Sequence, residues 1–181
     1  MKQRINVVWF KRDLRLSDHM PLKLAESSDL PTLLLYIFEP ILLKDPHYSE
    51  RHWRFVTESL TDMNRQLTQN ITVAHGESVG IFEAINNRFE IASIFSHEET
   101  GLANTFDRDK AISRWAAKNS ILWQESPSGA VTRPCTSRDT WDKDWQQVMR
   151  SDLVANQISA LKIIQLTFDT RQLSDTWKRV D

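Results

Sequence analysis

The chain reads as an α/β fold, a parallel sheet with helices on both of its faces. Three observations predict it. Five short apolar runs alternate with longer amphipathic stretches. The runs are almost continuously apolar, as strands covered on both faces are. Each run leads into a stretch with helical spacing, giving five β–α pairs whose right-handed crossovers lay successive strands parallel.

INVVWF (5–10) is the first strand, and Ser17 or Asp18 then opens a short helix over 18–27. TLLLYIFE (32–39) is the second strand. A long helix over 49–68 follows, with Ser49 as N-cap and Trp53, Val56, Leu60, Met63 and Leu67 as an apolar stripe. ITVAH (71–75) is the third strand, and Ser78 caps the helix VGIFEAINNRF. IASIFS (91–96) is the fourth, before a helix over 105–119 that turns Phe106, Ala111, Ile112 and Trp115 inward. ILWQES (121–126) is the fifth. SPSGAVTRP (126–134) is loop, punctuated by Pro127, Gly129 and Pro134. A last helix over 137–150, capped by Ser137, carries Trp141, Trp145, Val148 and Met149 on one face. Residues 151–181 lose a clear period: LKIIQLTF is a strand or a linker, and the polar remainder, with Trp177, reads as a tether.

Composition narrows the function. With 181 residues the chain can bury a sizeable core. A net charge of −1 argues against a strongly basic nucleic-acid module. Cys135 is the only cysteine, so no intramolecular disulfide or Cys-based metal site is expected, and a reducing cytoplasm fits best. The N-terminal apolar run is too short for a signal peptide, and no stretch approaches a membrane span of about 20 apolar residues. Glycine is scarce, at four residues, and neither G-x-G-x-x-G nor a P-loop occurs.

Ligands of open parallel sheets bind at the carboxyl ends of the strands. Three turns there carry candidate chemistry. The first presents Lys11, Arg12 and Arg15 beside Asp13: an anion site or domain contact, or else a salt-bridge network of Asp13 with an arginine that fixes the turn. The second holds Phe38, Glu39 and Pro40. In the third, SHEETG, Glu98 and Glu99 follow His97; successive side chains diverge, so one carboxylate faces in and one out. An inward one can accept hydrogen bonds from a heterocycle. It can equally be a solvated loop residue or serve the next helix N-terminus. His47, His52 and His75 lack metal-ligand spacing and read as surface or satisfied histidines. Ser96 beside His97 is not a nucleophile–base geometry. The tryptophans at 9, 53, 115, 141 and 145 read as core.

WFKRDLRLSDHMPL resembles the N-terminal signature of the DNA photolyase/cryptochrome family. SHEETGLANTFDRDKAISRWA is similar to the family's segment after strand four, a His-x-Glu-Thr turn with an Arg-Asp pair on the next helix. SPSGAVTRP and SRDTWDKDWQQVM resemble the stretch leaving the first domain in bacterial cryptochrome-like and class III branches. Together these cover about residues 5–150.

The resemblance implies a Rossmann-like sheet of order 3-2-1-4-5 that supports an antenna chromophore. It divides the chain into residues 1–135, the antenna-binding domain, and residues 136–181, a helix plus interdomain linker. It implies that catalytic FAD and damaged DNA belong to a separate C-terminal helical domain that this chain lacks. The family reaction is light-driven splitting of pyrimidine dimers, a lyase activity not expected of this chain alone. Glu99 matches the carboxylate set against the pterin of methenyltetrahydrofolate, with Glu98 beside it and Phe38 in the groove; other branches use a deazaflavin, and in several the groove is empty, so that no antenna bound here is a further alternative. Lys11 or Arg12 is expected to face this groove or the helical domain, while Asp13 and Arg15 brace the turn. A cryptochrome photoreceptor with the same domain, and a free-standing α/β nucleotide-binding module, are the alternatives.

Overall fold

A computed structural model describes residues 1–129, 131, 139–171 and 173. Strand β1 (Arg4–Phe10) leads to helix α1 (Met20–Glu26), then β2 (Thr32–Phe38), α2 (Pro40–Leu43) and α3 (Glu50–Asn64). β3 (Thr72–His75), α4 (Ser78–Arg88), β4 (Glu90–His97), α5 (Ala103–Lys118) and β5 (Leu122–Ser126) complete the alternation. α6 (Trp141–Met149) and a two-residue β6 (Ile163–Ile164) follow. The sheet has the order β3-β2-β1-β4-β5 that the resemblance implied, with every pairing parallel.

β1 lies at the centre, Val8 pairing with Leu34 on one side and Phe95 on the other. Its period-two alternation feeds two cores. Ile5, Val7 and Trp9 pack with Phe82 and Ile85 of α4 and Ile112 and Trp115 of α5. Val8 and Phe10 pack on the other face with Leu22 and Ala25 of α1 and Trp53, Leu60 and Met63 of α3. Both faces of β2 are buried along its whole length, which accounts for its unbroken run TLLLYIF.

Several boundaries differ from the sequence reading for local reasons. α1 starts at Met20, because Asp18 takes a left-handed conformation (φ 50°) and His19 becomes the cap, its Nδ1 accepting the Leu22 N–H at 3.2 Å. Glu77, not Ser78, is the N-cap of α4; Ser78 opens the helix and donates its hydroxyl to Glu39. α3 does start after Ser49, and His52 completes the cap by accepting the Ser49 N–H at 3.1 Å. Phe106 points outward, 49% exposed, because α5 turns Thr105, Arg108, Asp109, Ile112 and Trp115 to the sheet instead. Trp9, Trp53 and Trp115 are core, but no residue of α6 is buried: Trp141 is exposed and Trp145 half-buried. Cys135, the Ser137 cap, Trp177 and the 135/136 boundary lie outside the described residues.

Residues 153–168 lie along the domain. Val154 N–H donates to Asp18, Asn156 brackets the backbone of His19, and Gln157 N–H donates to Glu26. β6 pairs with Thr32 and Leu33, just below the stretch of β2 that pairs with β3. Leu161 and Leu166 are buried there. LKIIQLTF thus contains a strand.

Candidate functional site

The turns after β1, β2 and β4 converge with the start of α5. Between them and α3 opens a groove of about 680 Å³. Trp9, Tyr36, Tyr48 and Trp53 give it aromatic walls. Tyr48 stacks on Trp53 with ring centroids 4.9 Å apart and 19° between planes. α3 delivers Arg51, His52, Phe55, Val56 and Ser59 to the same groove, a face one turn wide beside its buried stripe.

A buried charge network forms the floor. Arg108 donates from Nη1 to Glu39 Oε1 at 2.6 Å and from Nη2 to Glu99 Oε2 at 2.6 Å. It also donates to Asp109 Oδ1, and its guanidinium lies 4.9 Å from the Trp9 ring. Burial works against the Arg108 cation, but Glu39, Glu99 and Asp109 outweigh it and raise its pKa. Burial likewise pushes the Glu39 carboxyl up, with Arg108 and Ser78 pulling it down. Both Glu39 oxygens are taken, one by Arg108 and one by Ser78. Glu99 differs: its Oε2 is held, while Oε1 accepts no hydrogen bond among the described residues. A buried carboxylate whose charge is balanced by arginine and which keeps one acceptor oxygen can take an N–H edge.

Lys11 is buried and inward. Its Nζ lies 3.0 Å from Glu125 and 3.6 Å from Asp109, and 4.8 Å from the Trp9 ring. Arg12 is exposed, and among the described residues it reaches only the Thr100 carbonyl, at 3.4 Å. Gly101, beside it, takes φ 139°, a backbone conformation that residues with a side chain rarely adopt. Arg15 braces the turn by donating to the Asp18 carbonyl at 2.7 and 3.0 Å.

Asp13 also braces the turn, through histidines rather than through an arginine. One oxygen accepts His19 Nε2–H at 2.8 Å and His97 Nδ1–H at 2.5 Å; the other accepts the Lys11 N–H at 2.8 Å. Burial alone would raise the Asp13 pKa, but the two imidazoles hold it far below the carboxylate range. Burial pushes the His19 pKa down against the pull of Asp13. The three groups are close enough to surround an ion. With Nδ1 accepting from Leu22, however, His19 Nε2 carries the ring proton and has no lone pair for a metal.

Of the predicted residues, Glu99, Lys11, Arg12, Asp13 and Arg15 all line the groove. Phe38 packs beneath it against Tyr36 (5.0 Å) and Trp53 (6.1 Å). Glu98 is half-buried and lines a second cavity of about 340 Å³ across the β1 turn. Sequence reasoning gave no role to Arg108, Tyr48, His19 or His97. A signal existed for Arg108: it falls on the stripe of Ile112 and Trp115, where a charge must be paired.

The DNA photolyase family model matches residues 6–159. The chain belongs to the DNA photolyase family. It is 32% identical over 107 residues to the cryptochrome DASH of Gloeobacter violaceus, covering 55% of this chain and 21% of that protein. The family fold is shared with the class III photolyase of Agrobacterium tumefaciens, with a TM-score of 0.74 at 17% identity, over 94% of this chain and 38% of that one. It is shared too with the archaeal photolyase of Sulfolobus tokodaii, TM-score 0.66 at 20% identity, over 98% and 42% of the two chains. That archaeal protein was solved with two FAD molecules and an implied novel light-harvesting cofactor. This photolyase-family chain thus spans a minor part of each relative's length. Among its described residues no helix is long and apolar enough to cross a membrane.

Proposed function

We propose that this chain is the antenna-chromophore domain of a deoxyribodipyrimidine photolyase, a flavoprotein that uses light to repair pyrimidine dimers in DNA, and that it is not catalytic alone. One observation carries the reading. At the strand ends of a photolyase-family sheet, an aromatic groove of about 680 Å³ contains Glu99, buried, charge-balanced by Arg108 and with one oxygen open.

The ligand that fits first is methenyltetrahydrofolate. Its pterin would supply light absorption to a flavin in the partner domain. Glu99 Oε1 accepts from the N–H edge of the ring, and Trp9, Tyr36, Tyr48 and Trp53 supply contact area. Phe38 supports Tyr36 and Trp53 from below. Lys11 acts through Trp9 and Glu125, and Arg12 and Arg15 form the rim. FAD and damaged DNA are assigned to a C-terminal helical domain, in keeping with the greater length of the relatives.

Titration of the chain with methenyltetrahydrofolate, followed by quenching of tryptophan fluorescence, tests the groove. Saturable binding is expected at concentrations up to about 1 mM. Loss of binding in Glu99→Gln supports the assignment; an unchanged isotherm removes Glu99 from it. A deazaflavin titrated in parallel identifies the branch of chromophore.

The identity with a cryptochrome DASH favours a second reading, a photoreceptor built on the same domain. Ultraviolet survival of cells carrying the complete gene separates the two, since only repair gives protection.

A further inference from the structure

The smaller cavity, of about 340 Å³, lies across the β1 turn from the groove and has chemistry of its own. His97 lines it. Its Nδ1–H is fixed on Asp13, whose carboxylate stays ionised. That bond selects one tautomer of the uncharged imidazole, the one with Nε2 as acceptor. That nitrogen has no hydrogen-bond partner among the described residues, although His97 is only 4% exposed.

The charges around it can be sorted by what they already hold. Lys11 is engaged by Glu125 and Asp109, Glu99 by Arg108, and Asp13 by the two histidines. Among the described residues, Arg15 keeps its Nη1 after bonding the Asp18 carbonyl, and Arg12 donates only to the Thr100 carbonyl, at 3.4 Å. Glu98 is the opposing charge. Two incompletely used guanidinium groups, one carboxylate and a fixed acceptor nitrogen thus share a cavity also lined by Thr100 and Ser128.

We propose that this cavity binds hydrogen phosphate. Arginine forks match the oxygens of a tetrahedral oxyanion. The anion's remaining P–OH donates to His97 Nε2, a match that a fully deprotonated oxyanion cannot make. The site therefore selects phosphate over sulfate, which has the same shape and charge but no proton to give. The two cavities meet at the β1 turn, where Lys11, Arg12, Asp13, Arg15 and Glu99 line both, whereas His97, Glu98, Thr100 and Ser128 line the smaller one and not the groove.

The test follows the His97 ring by NMR in the 181-residue chain, at a pH where its own titration shows it neutral. Inorganic phosphate is added, with sulfate at matched ionic strength as the comparison. Phosphate should shift the ring resonances saturably, and sulfate should bind at least about tenfold more weakly. Arg12→Gln should weaken phosphate about tenfold, and Glu98→Gln should tighten it by a few-fold, through loss of the opposing charge. Both side chains lie outside the buried networks, and an unmoved His19 resonance certifies the fold. No saturable shift, equal binding of sulfate, or an Arg12→Gln variant that binds as well as the parent would each overturn the proposal.

Discussion

His19 and His97 meet edge to face, with ring centroids 4.5 Å apart, because both donate to the same oxygen of Asp13. One carboxylate thereby ties the end of β4 and the cap of α1 to the β1 turn. Removing it leaves two buried imidazole N–H groups and the Lys11 N–H without an acceptor. Asp13→Ala is expected to cost about 3–5 kcal/mol, read as a shift of the urea midpoint. A loss below about 1 kcal/mol would show that the cluster is not the brace described here.

The same cluster sets an acid limb. His19 has a lowered folded pKa, so the unfolded chain takes the proton first, and stability falls as pH drops below about 6.5. Asp13, also lowered, contributes stability that is full above about pH 4 and is lost as pH falls toward its folded value. Both losses run the same way and in sequence. Urea midpoints from about pH 7 to 3 should fall in two stages. His19→Asn should flatten the upper one; an unaltered upper stage would take the effect away from His19.

Arg108 gives the opposite sign. Arg108→Leu leaves Glu39 and Glu99 buried without their cation, at a cost of about 3–5 kcal/mol near neutrality. Glu39 is already raised by burial, and without Arg108 it rises further. Its protonation then favours the folded state, so the deficit of the variant should shrink as pH falls toward about 4.5. Adding Glu39→Gln should recover part of the loss at neutral pH. If the double variant is no more stable than the single one, Glu39 is not the group left unpaired.

The alternation of strands and helices was legible because both obey simple periods. β2 is buried on both faces and reads as one apolar run; α3 keeps Trp53, Leu60 and Met63 on one stripe. Charges at the β1 end were legible as a cluster, but not their partners. Asp13 reaches His97 across 84 positions and Lys11 reaches Glu125 across 114, distances at which no local spacing operates. Lys11 and Arg12 look alike in sequence, yet one is buried over Trp9 and the other exposed, since adjacent residues leave a turn on different sides. Phe106 misled because α5 turns paired charges inward at its start and leaves an aromatic ring under Lys110, 4.2 Å away.

The segment read as part of an interdomain linker provides the last prediction. Asn156 accepts the His19 N–H at 2.9 Å and donates to the His19 carbonyl at 3.0 Å, so the strap holds the residue that caps α1 and binds Asp13. Further along, β6 covers Thr32 and Leu33, and Leu166 N–H donates to Thr72. Cutting the chain after residue 150 would expose that edge of β2 and the apolar surface under Leu161 and Leu166. Asn156→Ala is expected to cost about 1–2 kcal/mol and to speed amide exchange at His19 by roughly the equivalent factor. Chain 1–150 should unfold at a clearly lower urea concentration than chain 1–181. Equal midpoints for the two chains would mean that residues 153–168 rest on the domain without stabilising it, and would return them to the role of a linker.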